Sequence, residues 1–222
     1  MSRQPATQLQ RPKRWPGLLL ALAVISSSLP AMATQAHPLA PTTADRVLAR
    51  ALYLDLLRIP TVKGNGKVPE LADHLTARLQ AAGFDSADIA RLPVQTEGDT
   101  TLGLLVRYRG ASGNTHKPIA LLAHMDVVDA VAANWSTDPF VPVEKDGYLY
   151  ARGSMDTKAS VALLVTTFIR LKRAGWVPDR DVVLALSGDE ESGSRTTQLL
   201  AAHAWIQNAE YALNADGGTG AL

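Results

Sequence analysis

Residues Asp181–Leu186 read DVVLAL, an apolar run with no polar interruption after its first residue, and SGDEESGS follows at once. A strand wetted on one face alternates polar and apolar residues, whereas a continuous run belongs to a strand covered on both faces. This stretch therefore demands packed layers above and below a sheet. It also poses a charge problem. Asp189, Glu190 and Glu191 stand side by side where the strand should end. Like charges repel there, and burying one of them unpaired costs several kcal/mol or forces protonation.

The remaining chain alternates between the two periodicities. Leu48, Leu52 and Leu56 recur four apart in a predicted helix over Thr43–Leu57, with Asp45 in its first turn. RIPTVKGNGKVP breaks that helix with prolines and glycines. A second helix, Glu70–Ala82, stacks Leu71, Leu75 and Leu79 and stops at Gly83, a suitable C-terminal cap. Strand-like runs cover Leu102–Arg109 and Pro118–His124, and DGYLYARG reads as another short strand. Lys158–Ala174 is a long helix with Val161, Leu164, Val165, Phe168 and Leu171 on one face. A helix over Arg195–Gln207 and a last strand, EYALNAD, complete the chain. Strands alternating with helices predict a three-layer α/β/α sandwich around a largely parallel mixed sheet.

The N-terminus stands apart. Residues 1–33 carry Arg3, Arg11, Lys13 and Arg14, then an apolar stretch from Leu18 to Ile25, then Ala31 and Ala33 in an A-x-A frame. That is the pattern of a secretory signal peptide cut after Ala33, with TQA offering a second cut after Ala36. Its apolar core is too short for a comfortable membrane span, so the expectation is export to the periplasm or medium with no stable membrane association after cleavage. Thr34–Thr42 is a Pro-rich tether. Four of the 22 basic residues and none of the 21 acidic ones lie in the leader, so the remainder has a net charge of −3. Nothing there suggests nucleic-acid binding. The chain has no cysteine, which excludes disulfides, thiol nucleophiles and thiolate metal sites. A metal would have to be held by His, Asp and Glu.

Four apolar runs end in such groups: LLAHMDVV with His124 and Asp126, YARGSMDTK with Asp156, LALSGDEESGS with Glu190 and Glu191, and YALNADGG with Asp216. Each has a plain explanation alone. His124 could be a structural imidazole, Asp156 a helix cap, Asp216 a turn residue before Gly217, and the glutamates solvated. Together they fit the rule that ligands bind beyond the carboxyl ends of strands in an open α/β sheet. One imidazole with several carboxylates suits Zn²⁺, Mn²⁺ or Co²⁺, and two ions sharing a carboxylate would use the whole set. Divalent charge would also relieve the repulsion within DEE.

HMD, ARGSMDTK, SGDEESGS and NADGG, in that order and spacing, resemble the M20 metallopeptidases, the family of aminoacylases, dipeptidases, carboxypeptidases and succinyl-diaminopimelate desuccinylase. RIPTV and NWSTDPFVPVEKDGYLYARG are similar too, so the likeness runs from about Asp45 to the end. The resemblance implies a zinc-exopeptidase-like catalytic domain. It implies His124 as a ligand of one zinc, Asp126 as the residue orienting it, and Asp156 as the carboxylate shared by both ions, followed by a cis Asp156–Thr157 peptide. Glu191 would serve the other zinc, Asp216 would join His124, and Glu190 would be the general base. The implied activity is hydrolysis of peptide or N-acyl-amino-acid amide bonds in small substrates, the two ions activating a water whose proton Glu190 takes.

There are departures. Ala151 and Ala159 stand where the family usually has glycine. Family members are also much longer, with a lid or dimerisation domain inserted after the Asp216 position and a later segment supplying the last histidine ligand. Residues 43–222 are therefore expected to be the N-terminal part of the catalytic domain, unstable and inactive alone, with an exposed apolar sheet edge. A homodimer would belong to the full-length parent. His37 in the tether, His74 and His203 in helices and His116 in a turn do not suit the missing role. A serine hydrolase lacks its G-x-S-x-G elbow here, and His124 argues against a calcium site. The alternative is a non-catalytic metal-binding or interaction module.

Overall fold

The computed structural model describes residues 39–216. The predicted signal peptide and the tether up to residue 38 lie outside the described residues, as do Gly217 and Gly218. Helix α1 spans Thr43–Leu57, as the leucine spacing predicts. Its N-cap is Thr42, whose side chain accepts the Asp45 N–H while the Asp45 carboxylate takes the Thr42 N–H, a reciprocal capping box. Helix α2 runs Val68–Ala81 with proline in its first turn, beginning two residues earlier than the periodicity suggests because Pro69 is already suited to a helix start.

Among the described residues seven strands follow the two helices: β1 Ile89–Thr96, β2 Asp99–Tyr108, β3 Ile119–His124, β4 Val143–Lys145, β5 Tyr148–Tyr150, β6 Val182–Ser187 and β7 Tyr211–Asn214. Helix α3 spans Lys158–Arg173, between β5 and β6. The main sheet has the order β1-β2-β6-β3-β7. It is mixed. β3 pairs in parallel with β6 and β7, while β2 pairs antiparallel with β1 and β6. The parallel half is the one whose strand ends matter, since β3, β6 and β7 all deliver their carboxyl ends to the same edge. β4 and β5 form a separate hairpin. β1 has a weak sequence signature because Pro93 interrupts it, and it survives as an edge strand where one row of donors is not needed.

Alternation along β2 and β6 sorts the core into two layers. Leu104, Val106, Leu184 and Leu186 face one side with Leu52, Leu56, Leu71, Leu75, Val161, Val165 and Phe168 from α1, α2 and α3. Leu105, Val183 and Ala185 face the other, under Leu200 and beside Trp205. Leu200 belongs to α4, which is Arg195–Ala202 and ends five residues earlier than the predicted Arg195–Gln207. His203 is therefore the extended C-cap rather than a helical residue. Beyond the helix, Trp205 lies under the Arg107 guanidinium, 4.5 Å from its ring centroid. At the far side of the sheet β7 is exposed throughout, with Tyr211 and Leu213 open to solvent at the edge.

Candidate metal centre

His124, Glu190, Glu191 and Asp216 sit where the parallel strands β3, β6 and β7 give out. Asp156, read in the sequence as another strand end, instead lies in the turn before α3, six residues past the largely exposed β5. His124 is the last residue of β3 and is 1% exposed. Its Nδ1 lies 2.9 Å from the backbone oxygen of Asp126 and 3.5 Å from that residue's carboxylate. A carbonyl can only accept, so the proton resides on Nδ1 and Nε2 faces outward. There it meets Asp156 Oδ1 at 2.9 Å and Asp216 Oδ1 at 3.8 Å. Asp156 occupies the turn before α3, and the Asp156–Thr157 peptide is cis. Thr157, fully buried, locks that turn to β3: its Oγ1 donates to the His124 carbonyl at 3.0 Å.

Glu190 and Glu191 follow β6. The Asp126 carboxylate, 3% exposed, accepts the Glu190 N–H at 3.1 Å and the Glu191 N–H at 3.0 Å. Asp126 thus meets the imidazole chiefly through its backbone carbonyl and spends its side chain on the two glutamates. Two sets of three ligand atoms lie within 4.8 Å of one another: His124, Glu190 and Asp216, and His124, Asp156 and Glu191. They share the imidazole, so all five side chains occupy one patch. The family-implied arrangement, by contrast, has Asp156 common to both ions.

The electrostatics of the patch favour a cation. Burial drives the Glu191 carboxyl up from its ordinary range, Asp156, Glu190 and Asp126 push it further, and only His124 opposes them. Burial also disfavours charge on His124, yet the hydrogen bond and charge of Asp126, with the Asp156 bond, raise it to about 9. Crowded carboxylates that hold a proton on their one imidazole have the donor chemistry of a His/Asp/Glu site for divalent ions. A cavity of about 260 Å³ lined by Val62, Lys63, Asp126, Val127, Asp129, Glu191 and Ser192 opens beside the patch.

Three supporting residues carry little signal in the sequence. Asp189, 3% exposed, caps α4: its carboxylate accepts the N–H of Arg195 at 2.8 Å and of Thr196 at 2.9 Å, while its backbone oxygen takes those of Gly193 and Ser194. Lys158 is wholly buried, and its Nζ donates to the carbonyls of Leu56 at 3.0 Å and Ile59 at 2.6 Å, where α1 ends. Burial, opposed by the charge of Asp126, lowers this amine to about 7. Ser160 Oγ donates to the Ala215 carbonyl at 2.7 Å. A lysine opening an amphipathic helix reads as solvated, and only the register of α3 places it inward.

An α/β sheet that gathers an imidazole and carboxylates at its strand ends has the architecture of a metallopeptidase catalytic domain. The match is to the M20 metallopeptidases: the sequence pattern of peptidase family M20/M25/M40 fits residues 120–220. It is 37% identical over 150 residues to the succinyl-diaminopimelate desuccinylase of Bordetella petrii, covering 67% of this chain and 36% of that one. It is 34% identical over 144 residues to the acetylornithine deacetylase of Myxococcus xanthus, covering 65% of this chain and 35% of that one. The fold matches the di-peptidase Dug1p of Saccharomyces cerevisiae with a TM-score of 0.66 at 21% identity, covering 78% of this chain and 39% of that structure. The chain spans about a third of the length of these curated relatives.

Proposed function

We propose that this chain is part of a longer parent protein that hydrolyses amide bonds of small peptides or N-acyl amino acids with the help of divalent metal ions, that Glu190 is its general base, and that the 222 residues alone are inactive. The observation that carries this reading is the convergence of His124, Asp156, Glu190, Glu191 and Asp216 on one patch, with ligand atoms within 4.8 Å in two sets. The relatives' names describe removal of succinyl and acetyl groups from amines, which is the same bond class.

His124, Asp156 and Asp216 would hold one ion and Asp156 with Glu191 the other, Zn²⁺ being the first choice and Co²⁺ or Mn²⁺ alternatives. When bound, such ions lower the pKa of water and polarise a carbonyl. The chain's own residues do the rest. Glu190 accepts one proton from the attacking water, the C–N bond of the tetrahedral adduct breaks, and Glu190 returns that proton to the leaving amine. Atoms balance: amide and water become carboxylic acid and amine. Asp126 keeps Nδ1 of His124 protonated through its carbonyl and seats Glu190 and Glu191 through its carboxylate. Export is proposed from the leader, and among the described residues no helix is long and apolar enough to cross a membrane. A homodimer is proposed only for a longer parent chain.

Glu190→Gln tests the central role. In the longer parent, turnover of a panel of N-acyl amino acids and dipeptides should fall by about 10²–10⁴-fold, while Zn²⁺ stoichiometry measured by elemental analysis is unchanged. A wild-type parent that binds Zn²⁺ but turns over nothing on the panel would leave the metal-binding module as the better reading.

A further inference from the structure

Three side chains near the start of α3 reach out to three different segments of the site. Thr157 ties the end of β3, Lys158 ties the exit of α1, and Ser160 ties Ala215, 55 residues away in sequence. The first two hold elements that are already deep in the core. The third holds one that is not. β7 is a four-residue edge strand, exposed along its whole length, and its ladder with β3 ends at Asn214. Beyond Asn214 the Ala215 N–H donates to Leu122 at 2.9 Å and the Asp216 N–H donates to Asn214 Oδ1 at 3.2 Å.

The Ala215 carbonyl and the Asp216 amide belong to one planar peptide unit. A hydrogen bond on that carbonyl therefore fixes the plane from which the Asp216 side chain departs. Ser160 lies four residues after Asp156, so one rigid helix start relates the two carboxylates across His124. We infer that Ser160 is a positioning residue for Asp216: its hydroxyl holds the Asp216 carboxylate beside His124, and so sets the affinity for the divalent ion that these two share with Asp156. This rests on the metal reading proposed above. Groups that orient a ligand in this way are typically worth about 10–100-fold in metal affinity.

The test measures Mn²⁺ affinity of the whole chain by calorimetry, with amide hydrogen exchange of residues 212–216 in metal-free protein alongside. Ser160→Ala should weaken Mn²⁺ binding about tenfold and speed exchange at Ala215 and Asp216, and Ser160→Thr should restore both. In an Asp216→Asn background the same Ser160→Ala change should cost nothing further. Unchanged affinity or unchanged exchange in Ser160→Ala overturns the inference and leaves the metal reading intact. A full tenfold loss that persists beside Asp216→Asn also overturns it, because Ser160 would then act on the fold generally. Wild-type protein that takes up no Mn²⁺ overturns the metal reading itself, and the inference with it.

Discussion

Asp126 Oδ2 accepts the backbone N–H of Glu191 at 3.0 Å, a contact across 65 residues of sequence. Oδ1 of the same carboxylate takes the Glu190 N–H, and the Asp126 backbone oxygen faces His124 Nδ1. One buried residue thus sets the imidazole and both glutamates. Charge-assisted bonds of this kind are stronger than neutral ones, and their loss leaves donors buried.

Asp126→Asn preserves the shape and removes half of the acceptor capacity. Its NH₂ group would face a backbone N–H, donor against donor. The expected result is a loss of about 1–3 kcal/mol in urea unfolding, together with Zn²⁺ affinity lowered about 10–100-fold in chelator competition. Native affinity in this variant would remove Asp126 from the supporting shell of the site.

Asp189 acts on the same loop from the other side. Removing its carboxylate with Asp189→Ala orphans the first-turn amides of α4 and frees Thr196, whose hydroxyl donates to it and accepts the Gly188 N–H. The cost should be about 1–3 kcal/mol, read from denaturant midpoints. Thr196→Val breaks the same network, so the double variant should lose less than the two single losses combined.

These supports also mark what the sequence hides. His124, Glu190, Glu191 and Asp216 are legible because each closes an apolar run, and parallel pairing of β3, β6 and β7 carries their ends to one edge, while Asp156 reaches the same edge from the turn before α3. Asp189 is chemically indistinguishable from its neighbours in a string, and only the turn geometry makes it a cap while Glu190 and Glu191 face the site. Lys158 and Ser160 depend on the register of α3, and their partners lie far off in sequence. β1 is masked by Pro93, and no glycine or proline in residues 203–208 marks the end of α4.

Gly188 joins β6 to the acidic loop at a point with no room. A Cβ there would stand 2.3 Å from the Leu102 backbone oxygen, 2.6 Å from Thr101 Oγ1 and 2.7 Å from Val68 Cγ1. The nearest obstacle is backbone, so relief requires β2 or the loop to move. Gly188→Ala should cost about 1–3 kcal/mol as an overpacked core site does and displace the Glu190–Glu191 amides from Asp126. Thermal melting and Zn²⁺ titration should fall together. A variant that melts like wild type would mean that the loop yields without strain.

The capping box of α1 offers a test far from the candidate site. The hydrogen bonds from the Thr42 hydroxyl and then the Thr42 N–H hold the Asp45 carboxyl below its ordinary value of 3.8, assisted by the charges of Arg170 and Arg173. A depressed folded-state pKa means that the unfolded chain binds the proton more readily, so this contribution is present above pH 3.8 and fades as the pH falls through the lower folded value. Thr42→Ala should therefore lose about 1 kcal/mol at pH 7 and the same amount at pH 5. Below pH 3.8 the gap to wild type should narrow, because a protonated Asp45 no longer offers a charged acceptor to the Thr42 hydroxyl, the donor that Thr42→Ala removes. Urea unfolding at the three pH values measures it directly. An equal gap at pH 3 would show that the cap works through the Thr42 side chain alone, with the Asp45 charge contributing nothing.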